Sequence, residues 1–250
     1  MNRFSLQLLL GLSLLACTDP NHETVEPVGN ETPQAGIVSG KATDGQGRPL
    51  ANAQIVANNT QFYNQNVLGQ TDASGRYRLE LRPGSWYVRG TVDLRFDNKI
   101  YPLDLHPYTD AAFAGTEGAI RNLSLKVSGE RSGEFGNDGY YGGQIEVFPA
   151  FGGDEFIETE KVKLTLEPVG SLVDGSTGKT RIAQPEGLYV DDVPLGKYKI
   201  TARYSGNRPM RVRVHDKNQN FQNAVTASFD PAYAGAEGRY KLNLDVELPE

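Results

Sequence analysis

The chain holds a single thiol, Cys17, and its neighbours make it a point of attachment rather than a nucleophile. It closes the run Leu14-Leu15-Ala16-Cys17 at the end of an apolar stretch, Phe4 to Leu15, that follows the weakly positive Asn2 and Arg3. A small residue before a cysteine at the end of such a leader is where a bacterial lipoprotein precursor is cleaved and acylated. The stretch is short for a membrane span. The expectation is therefore a signal peptide over residues 1–16 and membrane attachment through lipid on Cys17. Removing Arg3 with the leader moves the formal charge from −6 to −7, and so acidic a chain is a poor partner for nucleic acid. With one cysteine, neither an internal disulfide nor a multi-thiolate zinc site can form, so stability must come from apolar cores.

Other residues with catalytic potential are few and scattered. The three histidines, His22, His106 and His215, include none in a His-x-x-Glu pair of the kind that holds zinc in a peptidase. A Gly-x-Ser-x-Gly nucleophile elbow is lacking. Gly175-Ser176-Thr177-Gly178-Lys179-Thr180 has the ending of a phosphate-binding loop, but Val173 stands where that loop needs glycine, and Pro185 and Gly187 oppose the helix that must follow. It reads as a hairpin turn. Asp216-Lys217-Asn218-Gln219-Asn220 opens like a calcium loop and fails at Phe221 and Ala227. A self-formed Lys–Asn isopeptide would need a buried asparagine, whereas Asn122 and Asn243 fall on the polar phase of their strands. The residues thus predict no catalytic group, no metal and no cofactor. A hydrolase with a carboxylate-based site is the rival from another class.

Ligand chemistry is concentrated between Phe135 and Phe156, where Phe135, Tyr140, Tyr141, Phe148, Phe151 and Phe156 alternate with glycines and with Asp138, Asp154 and Glu155. Aromatic faces backed by acidic acceptors suit sugar rings, and they suit a protein interface equally. The candidate binding residues are Tyr140, Tyr141, Phe148, Phe151 and Asp154, with Tyr140 and Tyr141 expected to be exposed. The competing reading is that these rings are apolar cover at a junction between domains.

The elements that must position these residues are strands. Tyr77, Leu79 and Leu81 alternate with Arg76, Arg78, Glu80 and Arg82, the two-residue period of a half-buried strand. Trp86, Val88, Val92 and Leu94 continue such a face, and Leu123, Leu125 and Val127 form another. Asp44-Gly45-Gln46-Gly47, Asp72-Ala73-Ser74-Gly75 and Pro83-Gly84 supply turns between strands. No helical period is sustained, so the chain is expected to be all-β.

The second half repeats the first. Asp110-Ala111-Ala112-Phe113-Ala114-Gly115-Thr116-Glu117-Gly118 returns as Asp230-Pro231-Ala232-Tyr233-Ala234-Gly235-Ala236-Glu237-Gly238, each copy leading into an alternating strand. Two carboxylates per copy are too few for a calcium site. The motif is better read as a loop whose aromatic ring plugs a sandwich end while its glycines take unusual backbone angles. The expected organisation is a flexible tether over 17–35, one unit over 36–128, a glycine-rich linker over 129–142 and a diverged copy over 143–250. The tether is rich in proline and acidic residues and too polar to bury a core.

Within the first unit, Gly40-Lys41-Ala42-Thr43-Asp44-Gly45-Gln46-Gly47-Arg48-Pro49-Leu50, then Ala53-Gln54-Ile55-Val56, Thr71-Asp72-Ala73-Ser74-Gly75-Arg76-Tyr77 and Pro83-Gly84-Ser85-Trp86-Tyr87, resemble the carboxypeptidase regulatory-like domain. Asn52 stands where that family often has glycine, and the second half keeps only Gly187-Leu188-Tyr189 and Pro194-Leu195-Gly196-Lys197-Tyr198 of the pattern. The resemblance implies two tandem seven-stranded transthyretin-like, Ig-like β-sandwich domains. It also implies an accessory or interaction role on an exported bacterial protein. Taken together, the expectation is a non-enzymatic envelope lipoprotein whose partners are the membrane, through its lipid, and an envelope protein or a glycan.

Overall fold

A computed structural model describes residues 32–150 and 155–249. The described residues form an all-β structure, and they include no α-helix. The first half runs β1 (Ile37–Thr43), β2 (Gln54–Asn59), β3 (Asn66–Gln70), β4 (Arg76–Glu80), β5 (Ser85–Phe96), β6 (Lys99–Pro107), β7 (Phe113–Ala114), β8 (Ala119–Ile120) and β9 (Leu123–Leu125). The second half runs β10 (Gly143–Pro149), β11 (Lys163–Pro168), β12 (Arg181–Ala183), β13 (Tyr189–Val193), β14 (Lys197–Tyr204), β15 (Arg208–Pro209), β16 (Arg211–Val214), β17 (Val225–Ser228), β18 (Asp230–Pro231) and β19 (Tyr240–Glu247).

Strand pairing recurs between the halves. In the first, β2 lies between β3 and β5, β5 also takes β7, and β1 lies between β4 and β9, which pairs β6. In the second, β11 lies between β12 and β14, β14 also takes β17, and β10 lies between β13 and β19, which pairs β16. Both halves set their opening strand parallel to their closing one, β1 with β9 and β10 with β19. They differ at the short strands, where β8 pairs β1 while β18 pairs β19, and in how the two sheet systems connect. β5 is long enough to pair β6 as a hairpin from Phe96↔Lys99 to Thr91↔Asp104, which joins all first-half strands into one nine-stranded sheet. The second half keeps two separate five-stranded sheets.

Alternation places the cores as expected. Tyr77, Leu79, Trp86, Val88, Val92, Leu123 and Leu125 are buried with Val38 and Ile55, while Arg76, Arg78 and Glu80 face solvent. Ile145, Val147, Leu164, Leu166, Ile200, Leu242, Leu244 and Val246 line the second interior around Phe229. The polar phase of β19 departs from this pattern, because Asp245 is buried too. β19 is paired on both sides, and Arg213 and His215 from β16 and the turn after it fold over the carboxylate.

The turns follow their chemistry. Asp44 Oδ1 accepts from the amides of Gln46 (2.9 Å) and Arg48 (2.8 Å), and Asp72 Oδ1 does the same for Ser74 (2.7 Å) and Arg76 (2.9 Å). The segment that ends like a phosphate-binding loop is a tight turn closed by a bridge between Ser171 and Thr177, with Asp174 Oδ1 accepting from Ser176. Asn52 sits at φ 58°, a conformation that glycine favours and asparagine tolerates.

Candidate functional site

The linker, residues 129–142, is folded into the junction between the halves. Glycines let it reverse direction through a short 3₁₀ turn, Glu134–Gly136, and a bridge closes its ends from Glu130 to Tyr140. Arg131 fastens it, with only 3% of its side chain exposed. Its guanidinium donates to Asp104 Oδ2 (2.7 Å) on β6, Asn137 Oδ1 (2.9 Å) and the carbonyls of Tyr140 (3.0 Å) and Gly238 (2.7 Å). It also lies 4.5 Å over the ring of Tyr141. One cation therefore ties the first half, the linker and the second copy of the repeated motif, and a buried guanidinium is tolerable only when so fully paired.

Around it the halves are joined by buried tyrosines and ion pairs. Tyr101 donates to the carbonyl of Phe229 (2.7 Å), Tyr240 donates to that of Pro102 (2.9 Å), and their rings lie 5.0 Å apart. Burial raises the hydroxyl pKa of both. Asp97, in the β5–β6 turn, accepts from Lys197 (2.9 Å) and Ser228 (2.9 Å) across the junction, and these bonds hold its carboxyl below the usual range. Lys99 pairs with Asp230. Asp192 accepts from the amides of Gly129 (2.7 Å) and Gly142 (3.3 Å), which pins both ends of the linker.

The motif copies behave alike in backbone and differently in side chain. Gly118 (φ 70°) and Gly238 (φ 62°) close the two copies in left-handed conformations, and a Cβ on Gly238 would stand 2.1 Å from Asp104 Oδ2. Phe113 packs against the first core, as a plugging ring should. Tyr233 does not; it is 66% exposed, in a loop that is held to β6 of the first half by Gly238 N donating to Pro102 O (3.0 Å). Among the described residues, no three of His, Cys, Asp and Glu gather as metal ligands.

A cleft of about 260 Å³ opens between the first half, the linker and the second motif copy, lined by Tyr87, Arg89, Asp110, Phe135, Asn137, Tyr233, Glu237 and Arg239 among others. It begins where the β5–β6 ladder ends at Thr91↔Asp104 and the two strands part, β5 toward β7 and β6 toward β9. Phe135, at φ 49°, lays its ring parallel to Tyr87 at 4.0 Å, and Arg89 donates to its carbonyl.

The sequence candidates are distributed rather than gathered. Tyr140 is 41% exposed and lines a separate recess of about 350 Å³ with Gln144, Asp191, Arg239 and Lys241. Tyr141, expected at the surface, is 3% exposed: its ring lies under Arg131 and edge-on to His106, and its hydroxyl sits 3.2 Å from His106 Nδ1. Desolvation raises that hydroxyl's pKa. Phe148 stacks on His215 at 4.5 Å, and His215 Nδ1 donates to Asp245 (2.5 Å). Cys17, Phe151 and Asp154 lie outside the described residues. Arg131, Tyr87 and Arg239 were not among the sequence candidates: Arg131 showed only as an arginine within a glycine run, and Tyr87 only as a residue of the Pro83–Tyr87 segment.

No family model matches the chain, and no curated protein matches it by sequence. Among solved structures it is similar to the TIE protein of Bacillus anthracis at 16% identity and TM-score 0.36, over 86% of this chain and 34% of that one. It is also similar to the major pilin protein of Streptococcus pyogenes at 9% identity and TM-score 0.26, over 86% and 100% of the two chains. A C-terminal fragment of the pilus adhesin SpaC from Lactobacillus rhamnosus GG matches at 11% identity and TM-score 0.24, over 87% and 98%. The chain spans about a third of the length of the TIE protein chain it matches.

Proposed function

We propose that the chain is a non-enzymatic binding or scaffolding module of a bacterial cell envelope, held to a membrane by lipid on Cys17. The observation that carries the binding role is the built junction. Arg131, the tyrosines and the ion pairs unite two sheet systems into one body and leave between them a cleft of exposed aromatic and polar side chains. Rigid pre-formed surfaces of this kind lower the ordering cost of recognition. The finer fold reading belongs to the same proposal: two tandem transthyretin-like sandwiches of the carboxypeptidase regulatory-like type, over 36–128 and 143–250. It is supported by the recurrence of pairing between the halves and by the seven strands left in the first half once the two-residue β7 and β8 are set aside.

Two measurements test the proposal. Cells fed an alkyne-tagged fatty acid should label the wild-type chain and leave Cys17→Ser unlabelled; equal labelling of both would remove the anchor. Crosslinking in native cells followed by mass spectrometry should return a reproducible envelope neighbour, and its absence would remove the scaffolding role.

A further inference from the structure

The cleft beside the linker is where the two motif copies meet, for Asp110 opens the first copy while Tyr233 and Glu237 belong to the second. We propose that this cleft binds an uncharged oligosaccharide, with one or two rings seated against Phe135 and Tyr233. The assignment deepens the binding-module reading and rests on it.

Four features support it. First, Phe135 has one face on Tyr87 and remains 37% exposed, and Tyr233 is 66% exposed, so two aromatic surfaces on different loops border one cleft. The C–H faces of a pyranose stack on such surfaces. Second, the polar lining is planar and multidentate: Asp110, Glu134 and Glu237 accept and Arg239 donates. Adjacent hydroxyls on a sugar ring present matching donor and acceptor pairs. Third, the charges nearly cancel, with Arg89, Arg131 and Arg239 against Asp104, Asp110, Glu134 and Glu237, so the cleft favours neither a polyanion nor a polycation. Fourth, the walls are set in advance. Arg131 fixes Asp104 and Asn137, and Gly139 at φ 82° leaves room for Arg239, whose Nη1 would stand 2.8 Å from a Cβ there. At about 260 Å³ the cleft lies just below the roughly 300 Å³ lower bound of common ligand sites, which suits a short glycan segment better than a folded partner.

The test is isothermal titration of the full chain, in a detergent without a sugar headgroup, with maltotriose, cellotriose, tri-N-acetylchitotriose and, as the charged comparison, trigalacturonate. At least one neutral trisaccharide should bind. Phe135→Ala and Tyr233→Ala should each weaken it about tenfold, the scale of one lost ring contact. Tyr63→Ala, at a fully exposed ring outside the cleft, should leave the affinity unchanged. Tyr233→Ala removes a surface ring and keeps the test open should Phe135→Ala disturb the fold. No binding by any neutral trisaccharide overturns the assignment. So does binding that survives both cleft substitutions, falls equally with Tyr63→Ala, or is exceeded by trigalacturonate. A crosslinked neighbour found while all sugars fail would leave the module standing without this ligand.

Discussion

Arg131 carries more of the junction than any other side chain, because its removal strands several groups at once. Arg131→Met would leave the carbonyls of Gly238 and Tyr140 without their donor and Asp104 without its cation. Asp104 keeps 31% of its side chain exposed, so the loss is led by the stranded carbonyls, at about 1–3 kcal/mol for each buried group left unpaired. Urea unfolding of the variant should show that loss, with lysine restoring only part of it because a point charge cannot serve four acceptors in a plane. Asp97 contributes in a pH-dependent way. Its folded pKa is depressed by the bonds from Lys197 and Ser228, so its stabilisation is present above the unfolded carboxyl value of about 3.9 and fades as pH falls through the folded value. Asp97→Asn should flatten the acid limb of a stability-against-pH curve while changing little at neutral pH beyond the loss of one partly exposed ion pair.

At the level of elements, β10 approaches its own core so closely that side-chain volume is excluded. A Cβ on Gly143 would lie 2.4 Å from ring carbons of the buried Phe229. Gly143→Ala should cost about 1–3 kcal/mol through overpacking, and Phe229→Leu in the same chain should recover part of the lost melting temperature. The strands themselves were legible in sequence, since Tyr77, Leu79, Leu242 and Leu244 announce their buried face by alternation. So were the Asp-Gly turns, whose bonds are local. The doubled pairing was legible as a repeated nine-residue loop and as the return of the Pro83–Tyr87 segment at Pro194–Tyr198. Side-chain placement in the linker was not legible, because alternation says nothing about a glycine-rich segment whose conformation is set by long-range partners. Tyr140 and Tyr141 are neighbours of one type, yet one faces solvent and the other lies under Arg131. That difference depends on Asp104 and Gly238, which lie 27 and 107 residues away from Arg131.

For the molecule as a whole, the junction predicts that the halves unfold together. The bonds from Tyr101 to Phe229 and from Tyr240 to Pro102, with those of Arg131, link the two interiors through buried groups rather than through surface contact. Scanning calorimetry should show one transition with matching calorimetric and van't Hoff enthalpies, and Arg131→Met combined with Tyr101→Phe should separate it into two. The parallel pairing of opening and closing strands has a mechanical meaning as well. Tension along the chain pulls β1 against β9, and β10 against β19, in shear, so that all bonds of a pair must fail at once instead of peeling one by one. β10 and β19 share six paired positions, whereas β1 has two with β9 and two with β8. Force spectroscopy should find the first half yielding at lower load, which would lengthen the chain while the second half still held its grip.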